Sequence, residues 1–230
     1  MSVAGKVAIV TGASGTIGGA ISAALAKAGC RVVMTARREL GTATNLDFQK
    51  ADVTDEKSVA LLFEKVMEKY GQVDILVNSA GLTQSATVED LDIEAFRKVL
   101  DVNVTGTMLC AKYAFRSKVK RIINVGSISS MAPRPQSAAY TASKFAVQGL
   151  TRALGLDGRE KGISVSVVHP GNVRSDLLTP EELESRGQSE GFLDVHDLAQ
   201  SVLHMASMPD NTNILELTVL PTTQPLVGRG

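Results

Sequence analysis

The sequence predicts an α/β fold built on one doubly wound parallel sheet of seven strands, with helices on both faces. Short apolar runs rich in β-branched residues recur along the chain and alternate with stretches of helical spacing. The runs lack strict alternation of apolar and polar residues, which indicates strands covered on both faces. A length of 230 residues without a linker or an internal repeat favours a single domain over residues 1–230.

The predicted elements follow one another from the N-terminus. The strands are 6–10, 31–36, a short third strand that ends before Asp52, 73–78, 121–125, 163–168 and 214–219. The helices are 17–28, 55–70, 91–117, 137–160 and 194–207, and Gly29 is expected to end the first of them.

Charge and composition argue against several classes of protein. The 24 Lys and Arg residues balance the 24 Asp and Glu residues, so no net field favours nucleic acid or an anionic membrane. No apolar run approaches the roughly 18 residues of a membrane span, and no signal-peptide pattern opens the chain. Cys30 and Cys110 lie in apolar stretches typical of buried, reduced thiols, and the three histidines lack metal-ligand spacing. We therefore expect a cytoplasmic protein without a metal site.

A glycine-rich turn lies between the first predicted strand and the first predicted helix. It runs from Thr11 to Gly18 as T-G-A-S-G-T-I-G, with glycines at positions 12, 15 and 18. Three glycines at a helix N-terminus let backbone N–H groups approach a pyrophosphate, and the helix dipole favours its charge. The alternative is a tight turn with a structural role alone.

Tyr140 and Lys144 lie four residues apart, and Ser127 precedes the tyrosine by thirteen residues. On a helix, residues at i and i+4 share a face, so the Lys144 ammonium can lie beside the Tyr140 ring. A fixed cation favours the ionised phenol, and we expect it to lower the pKa of Tyr140 from about 10. A tyrosine so placed can donate and accept a proton. The same spacing also occurs on ordinary helix surfaces.

The glycine-rich turn, Ser127 and the Tyr140–Lys144 pair together resemble the short-chain dehydrogenase/reductase family, and the resemblance covers nearly the whole chain. Four further motifs are similar to those of the family, in its order. They are Asp52-Val53, Asn78-Ser79-Ala80-Gly81 with serine replacing the second asparagine, Asn103 in Asp-Val-Asn-Val, and Pro170-Gly171-Asn172-Val173-Arg174-Ser175.

The resemblance implies a Rossmann-type fold and four catalytic residues. Ser127 would polarise the substrate carbonyl, and Tyr140 would donate or remove the proton. Lys144 would lower the tyrosine pKa and bind the nicotinamide ribose, while Asn103 would anchor a water that links Lys144 to solvent. Asn103 also begins a formal glycosylation sequon, and Asp52 is alternatively a helix cap near Thr54.

The resemblance also implies a dinucleotide site. Its expected members are Gly12, Ser14, Thr16, Ile17, Gly18, Arg37, Arg38, Asp52, Val53, Asn78, Ala80, Gly81, Tyr140, Lys144, Pro170, Gly171, Val173 and Ser175.

The end of the second strand predicts NADP(H) rather than NAD(H). Members that prefer NAD carry an acidic residue there, which binds the ribose 2′-hydroxyl. Here the position is Ala36, followed by Arg37 and Arg38, and a guanidinium suits a 2′-phosphate. Ser14 can add a hydrogen bond. The alternative is that the two arginines belong to a solvated loop.

Two connections and the tail depart from the family pattern. Only eleven residues separate Ala36 from Phe48, too few for the usual crossover helix, and the loop 116–120 is short. The predicted substrate lid, about 176–192, is short and polar, which favours an open pocket for small or medium substrates.

The tail 215–225 resembles the NADP-dependent 3-hydroxy acid (serine, allo-threonine) dehydrogenase branch. A substrate carboxylate in such an enzyme needs a cation, which Arg134, Arg174 or Arg186 can supply. A contact between subunits is the alternative role for the tail.

The leading hypothesis is an NADP-dependent carbonyl reductase or alcohol dehydrogenase with a small-molecule substrate. The alternatives are a 3-hydroxy acid dehydrogenase and a non-catalytic regulator that senses a dinucleotide. By resemblance, the helices 91–117 and 137–160 are expected to form a homo-oligomer, a dimer or a homotetramer.

Overall fold

The computed structural model describes residues 2–175 and 177–226. Met1 and residues 227–230 of the predicted domain, and Asp176 of the predicted lid, lie outside the described residues. The described strands are β1 (Val7–Thr11), β2 (Arg31–Thr35), β3 (Leu46–Phe48), β4 (Ile75–Asn78), β5 (Arg121–Val125), β6 (Ser164–Pro170) and β7 (Glu216–Val219).

Within the described residues, these strands form one seven-stranded sheet with the order β3-β2-β1-β4-β5-β6-β7. Every neighbouring pair is parallel. The chain passes outward from β1 to β3 on one side and then returns to place β4 on the other side. This reversal opens a crevice at the carboxyl ends of β1 and β4, the usual ligand position in such sheets. The predicted doubly wound sheet is confirmed.

The described helices cover the sheet on both faces. They are α1 (Thr16–Lys27), α2 (Glu56–Tyr70), α3 (Ile93–Leu100), α4 (Gly106–Arg116), α5 (Ala138–Gly158), α6 (Pro180–Ser189) and α7 (Val195–Ser207). Successive residues of β1 point to opposite faces. Ala8 and Val10 pack in the core layer with α1 and α7. Val7 and Ile9 pack in the layer formed by α2, α4 and α5.

The predicted helix 91–117 is divided in the structure. Asp92 caps α3 by accepting a hydrogen bond from the N–H of Glu94, and a π-helical turn, Asp101–Thr105, separates α3 from α4. Such turns insert one residue into a helix and often lie at functional sites. Helical periodicity alone does not distinguish this turn from a continuous helix.

Helix α6 lies inside the predicted lid, and the sequence analysis does not predict it. Its N-terminus is a capping box, in which Thr179 accepts from the N–H of Glu182 and the Glu182 carboxylate accepts from the N–H of Thr179. Pro180 fits the first turn because it has no N–H to satisfy. The T-P-E-E sequence therefore carries a helix start signal that the polar composition obscures.

The short connections agree with the sequence. In the described structure the chain passes from β2 to β3 without a crossover helix, through an isolated bridge between Ala43 and Leu46. Cys30 and Cys110 are buried free thiols, and burial raises the pKa of each to about 12. Across residues 2–175 and 177–226, no helix is both long enough and apolar enough to cross a membrane.

Candidate active site

The glycine-rich turn is packed tightly against the loop that follows β4. Gly12 has a φ of 65°, and a Cβ there would lie 2.6 Å from the Cα of Ala80. A Cβ on Gly18 would lie 2.4 Å from the carbonyl oxygen of Gly12. Thr11 holds the two segments together, since its Oγ1 accepts from the N–H groups of Ser79 and Ala80 at 3.1 Å. Glycine at positions 12 and 18 is therefore a packing requirement.

Helix α1 presents its N-terminus to this turn. Gly15 is the N-cap, and among the described side chains none caps the helix. The first N–H groups of a helix carry partial positive charge, and a glycine cap leaves them open to an external anion. The turn therefore offers the backbone geometry that a pyrophosphate requires.

A cleft of about 1030 Å³ follows the carboxyl edge of the sheet. Most of the residues predicted to bind a dinucleotide line it together. They are Gly12, Ser14, Thr16, Ile17, Gly18, Arg37, Asp52, Val53, Ala80, Gly81, Tyr140, Lys144, Pro170, Gly171, Val173 and Ser175.

Two residues predicted to bind the cofactor form hydrogen bonds within the described protein. Asn78 is buried, and its Nδ2 donates to Asn124 Oδ1 at 2.9 Å, so the side chain joins β4 to β5. The Nη2 of Arg38 donates to the backbone oxygen of Ser14 at 2.8 Å. Neither belongs to the described lining of the cleft. The cofactor contacts predicted for these two residues stay predictions.

Asp52 and Arg37 both line the cleft. Asp52 accepts from the N–H and the hydroxyl of Thr54, at 2.9 and 2.7 Å. These bonds and the charge of Arg37 lower the pKa of Asp52. The cap of α2 is Asp55, which accepts from Lys57 and Ser58, so the capping role considered for Asp52 belongs to its neighbour.

Three of the predicted catalytic side chains line the same cleft. Ser127 follows β5, while Tyr140 and Lys144 lie on one face of α5. The Lys144 Nζ lies 5.4 Å from the centre of the Tyr140 ring. The Ser127 Oγ accepts from the N–H of Ser129 at 3.1 Å, and the Ser127 side chain is also hydrogen-bonded with Tyr140.

The pKa values differ from the sequence-based expectation. Burial raises the pKa of Tyr140, while a hydrogen bond with Ser127 and the charge of Arg186 act in the lowering direction. Burial also lowers the pKa of Lys144 to about 8. The ammonium donates to the backbone oxygen of Val125 at 2.8 Å rather than to the phenol. The predicted lowering of the tyrosine pKa by Lys144 is therefore corrected: burial dominates at both groups.

Asn103 lies in the π-helical turn and is buried. Its Oδ1 accepts from the N–H of Leu82 at 2.7 Å, and its Nδ2 donates to the Leu82 carbonyl and to Ser143 Oγ at 2.9 Å each. The side chain thus clamps the loop after β4 to α5, just beneath Lys144. A side chain buried in this way is inaccessible to a glycosylating enzyme, which removes the sequon interpretation.

The three arginines considered for a substrate carboxylate have different surroundings. Arg186 on α6 lines the cleft and pairs with Glu182 at 2.7 Å. Arg134 also lines the cleft and pairs with Glu190. Arg174 lies 4.7 Å above the Phe192 ring and is not part of the described lining.

His169 is a buried polar residue that sequence reasoning did not select. Its Nδ1 lies 3.0 Å from both the Ser127 carbonyl and the Ser130 hydroxyl. A Cβ on Gly126 would lie 2.6 Å from the same atom, so the glycine makes room for the ring. Burial lowers the pKa of His169. The available signal was a histidine at the end of an otherwise apolar strand.

Acidic, histidine and cysteine side chains do not assemble a metal site in the described part of the chain, where no group of three or more is arranged to hold an ion.

Comparison with known proteins places these features in context. Residues 6–185 match the family model described as short chain dehydrogenase. An uncharacterised oxidoreductase of Staphylococcus saprophyticus is 36% identical over 231 residues, covering 94% of this chain and 97% of that protein. Farnesol dehydrogenase of Aedes aegypti is also 36% identical, over 239 residues, covering 95% of this chain and 96% of that enzyme.

A solved structure is similar over almost its whole length. It is the 3-ketoacyl-(acyl-carrier-protein) reductase from Brucella melitensis complexed with NADH, with a TM-score of 0.87 and 29% identity. The match covers 95% of this chain and 98% of that one.

Proposed function

Because the chain belongs to the short-chain dehydrogenase/reductase family, whose members are oxidoreductases, we propose that it transfers hydride reversibly between NADPH and a small or medium-sized carbonyl or alcohol substrate. The observation that carries the proposal is the meeting of the glycine-rich turn, Ser127, Tyr140 and Lys144 in one cleft. A nicotinamide dinucleotide supplies a hydride acceptor or donor when bound. The uncapped N-terminus of α1 and the glycines at 12 and 18 suit its pyrophosphate.

Ser127 and Tyr140 would act on the substrate oxygen. The Ser127 hydroxyl would donate a hydrogen bond to the carbonyl and stabilise the negative charge that develops there. The Tyr140 hydroxyl would give its proton to the same oxygen in reduction and remove it from an alcohol in oxidation. Burial keeps Tyr140 protonated at neutral pH, the form that reduction requires.

Lys144 would act on the ribose of the nicotinamide and on the supply of protons. With a pKa of about 8 it exchanges a proton close to neutral pH, so it can restore the proton that Tyr140 gives away. Asn103 would hold the loop that borders Lys144, and its proposed role in anchoring a water is part of this proton supply.

We propose NADP(H) over NAD(H) because Ala36, not an acidic residue, directly follows β2 and because Arg37 lines the cleft beside it. Arg37 is exposed and free to approach a 2′-phosphate, whereas Arg38 supports the turn through Ser14. The similar Brucella reductase is complexed with NADH, so steady-state kinetics with both cofactors are a necessary test.

The substrate is proposed to be an uncharged carbonyl compound rather than a 3-oxo or 3-hydroxy acid. The two arginines that line the cleft beside the lid are each paired with a glutamate. The resemblance of the tail to the 3-hydroxy acid branch stays a prediction. A purely regulatory protein is disfavoured because the serine, tyrosine, lysine and asparagine positions all keep their side chains.

We also propose a homo-oligomer, a dimer or a homotetramer. One side of α5 exposes Ala142, Phe145, Gly149, Ala153 and Leu156 in the single chain, and such an apolar stripe suits a subunit contact. The single domain over 1–230, the lid over about 176–192 and the cytoplasmic location likewise stay predictions.

The test is an NADPH-oxidation assay over ketones, aldehydes, and 3-oxo acids with their methyl esters. The wild type is expected to reduce uncharged carbonyls, and Tyr140→Phe is expected to retain less than about 1% of its turnover, because general acid catalysis contributes about 10²–10⁴-fold. Binding of NADPH, followed by its fluorescence, should survive the substitution. Turnover of the Phe variant above a few per cent of wild type would refute the role of Tyr140.

A further inference from the structure

Glu190 lies just beyond α6 and is held by side chains from three other segments of the chain. Arg134 donates to both of its carboxylate oxygens, with Nη1 at 3.3 Å from Oε1 and Nη2 bonded to Oε2. Asn172 Nδ2 donates to Oε2 at 2.8 Å, and Gln224 Nε2 donates to the same atom at 3.0 Å. The Glu190 side chain is 12% exposed and that of Arg134 is 23% exposed. A forked pair with two amide donors and little solvent is strong and directional.

The tail of the chain completes this cluster. Gln224 is buried, and its Oε1 accepts from the N–H of Asn172 at 2.8 Å. Thr223 Oγ1 donates to the Glu190 carbonyl at 2.7 Å. The described part of the tail therefore packs on its own chain.

Two glycines make room for this contact. A Cβ on Gly171 would lie 2.1 Å from Gln224 Oε1. Gly191 has a φ of 72°, and a Cβ there would lie 2.6 Å from Thr223 Oγ1. A side chain at either glycine would collide with the tail, so the packing of the tail beside Glu190 requires glycine at both positions.

Part of the cluster lines the candidate cleft. Arg134 and Asn172 line the same cleft as Ser127 and Tyr140. A substrate carboxylate that approached Arg134 would have to displace Glu190, and it would be repelled by that carboxylate until it did so. An uncharged carbonyl compound meets no such repulsion.

Resting on the proposed function, we propose that Glu190 is a specificity-determining residue. Because Glu190 occupies Arg134, the site selects uncharged substrates over those that carry a carboxylate. The tail holds Glu190 in this position through Gln224. If Glu190 is neutralised, Arg134 keeps its charge and its bond to Asn172 but loses its counter-ion. A partly buried guanidinium without a counter-ion binds an available carboxylate.

The test compares 3-oxobutanoate with its methyl ester in the wild type and in Glu190→Gln. The amide is nearly isosteric but carries no charge. We expect the ratio of kcat/KM for the acid to that for the ester to rise about tenfold or more, since a charge-assisted pair is worth about 1.5–3 kcal/mol and about 1.4 kcal/mol is a factor of ten. This gain should appear as a lower KM for the acid.

Glu184→Gln is the matched control. Glu184 lies on α6, is exposed, and does not belong to the described lining of the cleft. Its substitution removes one negative charge from the helix that precedes Glu190 without touching Arg134, so the ratio should change by less than about twofold. Adding Arg134→Met to Glu190→Gln should cancel the gain for the acid.

Gln224→Met is the second variant and applies if Glu190→Gln does not fold. It removes the tail's amide while keeping similar size, and the ratio should move in the same direction by a smaller factor. An unchanged ratio in both variants, or in the one that folds, would overturn the inference and leave the cluster a structural contact.

The failure of the proposed function has a different signature, because the wild type would then oxidise NADPH with neither compound. In that case calorimetric affinities for 3-hydroxybutanoate and its methyl ester, measured with NADP present, decide the inference without turnover. Glu190→Gln should strengthen binding of the acid only, and equal changes for both ligands would overturn the proposal.

Discussion

The close approach of Gly12 to Ala80 gives the sharpest prediction about the cofactor site. In Gly12→Ala the new Cβ would lie 2.6 Å from the Ala80 Cα, about 0.8 Å short of the 3.4 Å at which ordinary contact begins. Both atoms belong to the backbone framework, so the turn must move away from the loop after β4. The φ of 65° adds strain of about 1–2 kcal/mol for any residue with a Cβ.

Two effects of different size follow. The strain should lower the melting temperature by about 2–8 °C for a chain of this length. The displaced turn should also lose at least one N–H contact to the pyrophosphate, and a hydrogen bond to a charged group is worth about 1.5–3 kcal/mol. We therefore expect the Kd for NADPH to rise about 10- to 100-fold.

Gly5→Ala is the matched control. Gly5 has a similar φ of 77°, but nothing lies within 4 Å of the position that a Cβ would take there, and the residue is remote from the described lining of the cleft. The substitution should lower the melting temperature by a comparable amount and leave NADPH affinity unchanged. Titration of NADPH fluorescence and thermal unfolding measure both quantities. Wild-type affinity in Gly12→Ala, or an equal loss of affinity in Gly5→Ala, would refute the argument.

Three further predictions concern charge and assembly. Burial lowers the pKa of Lys144 from 10.5 to about 8, so between these pH values the unfolded chain binds more protons than the folded one and wild-type stability gains with rising pH from this group. Raising the pH from 8 to 10.5 should therefore stabilise wild type by about 3 kcal/mol more than it stabilises Lys144→Met, as measured by urea titration. A difference in stability that does not depend on pH would contradict the lowered pKa of Lys144. Arg37→Ala should raise the KM for NADPH about tenfold, because it removes one ion-paired contact to the 2′-phosphate, and should leave the KM for NADH unchanged. An equal effect on both cofactors would exclude a phosphate contact. Phe145→Glu should shift the mass measured by light scattering to that of one 24.3 kDa chain, whereas Leu61→Glu on α2 should not, and an unchanged oligomer in the Phe145 variant would argue against α5 as the interface.

Local sequence signals predict most of the fold and the two ends of the cleft. Buried parallel strands have a distinctive composition because both faces are apolar, so the strand predicted over 121–125 has the observed limits. The glycine-rich turn and the pair Tyr140–Lys144 are recognisable because their chemistry depends on spacing within one segment.

Sequence reasoning stops where a contact between distant segments decides the outcome. The motif around Asn78 does not reveal that its side chain bonds to Asn124, 46 residues away on the neighbouring strand. The spacing of Lys144 predicts a lowered pKa for Tyr140, but burial raises that pKa, and the opposing influences come from Ser127 and Arg186. Burial is a property of the assembled core and cannot be deduced from a spacing of four residues.

The sequence by itself determined the sheet, the glycine-rich turn and the order of the predicted catalytic motifs, because these follow from propensities and contacts within short segments. Only the tertiary structure decided which cations of the cleft are paired. Arg134, Asn172, Glu190 and Gln224 span 91 positions of the chain, and folding brings them together because the tail packs across the loop after β6 and the end of the lid. Hydrogen bonds and ion pairs act over a few ångströms in space, whatever the separation along the chain.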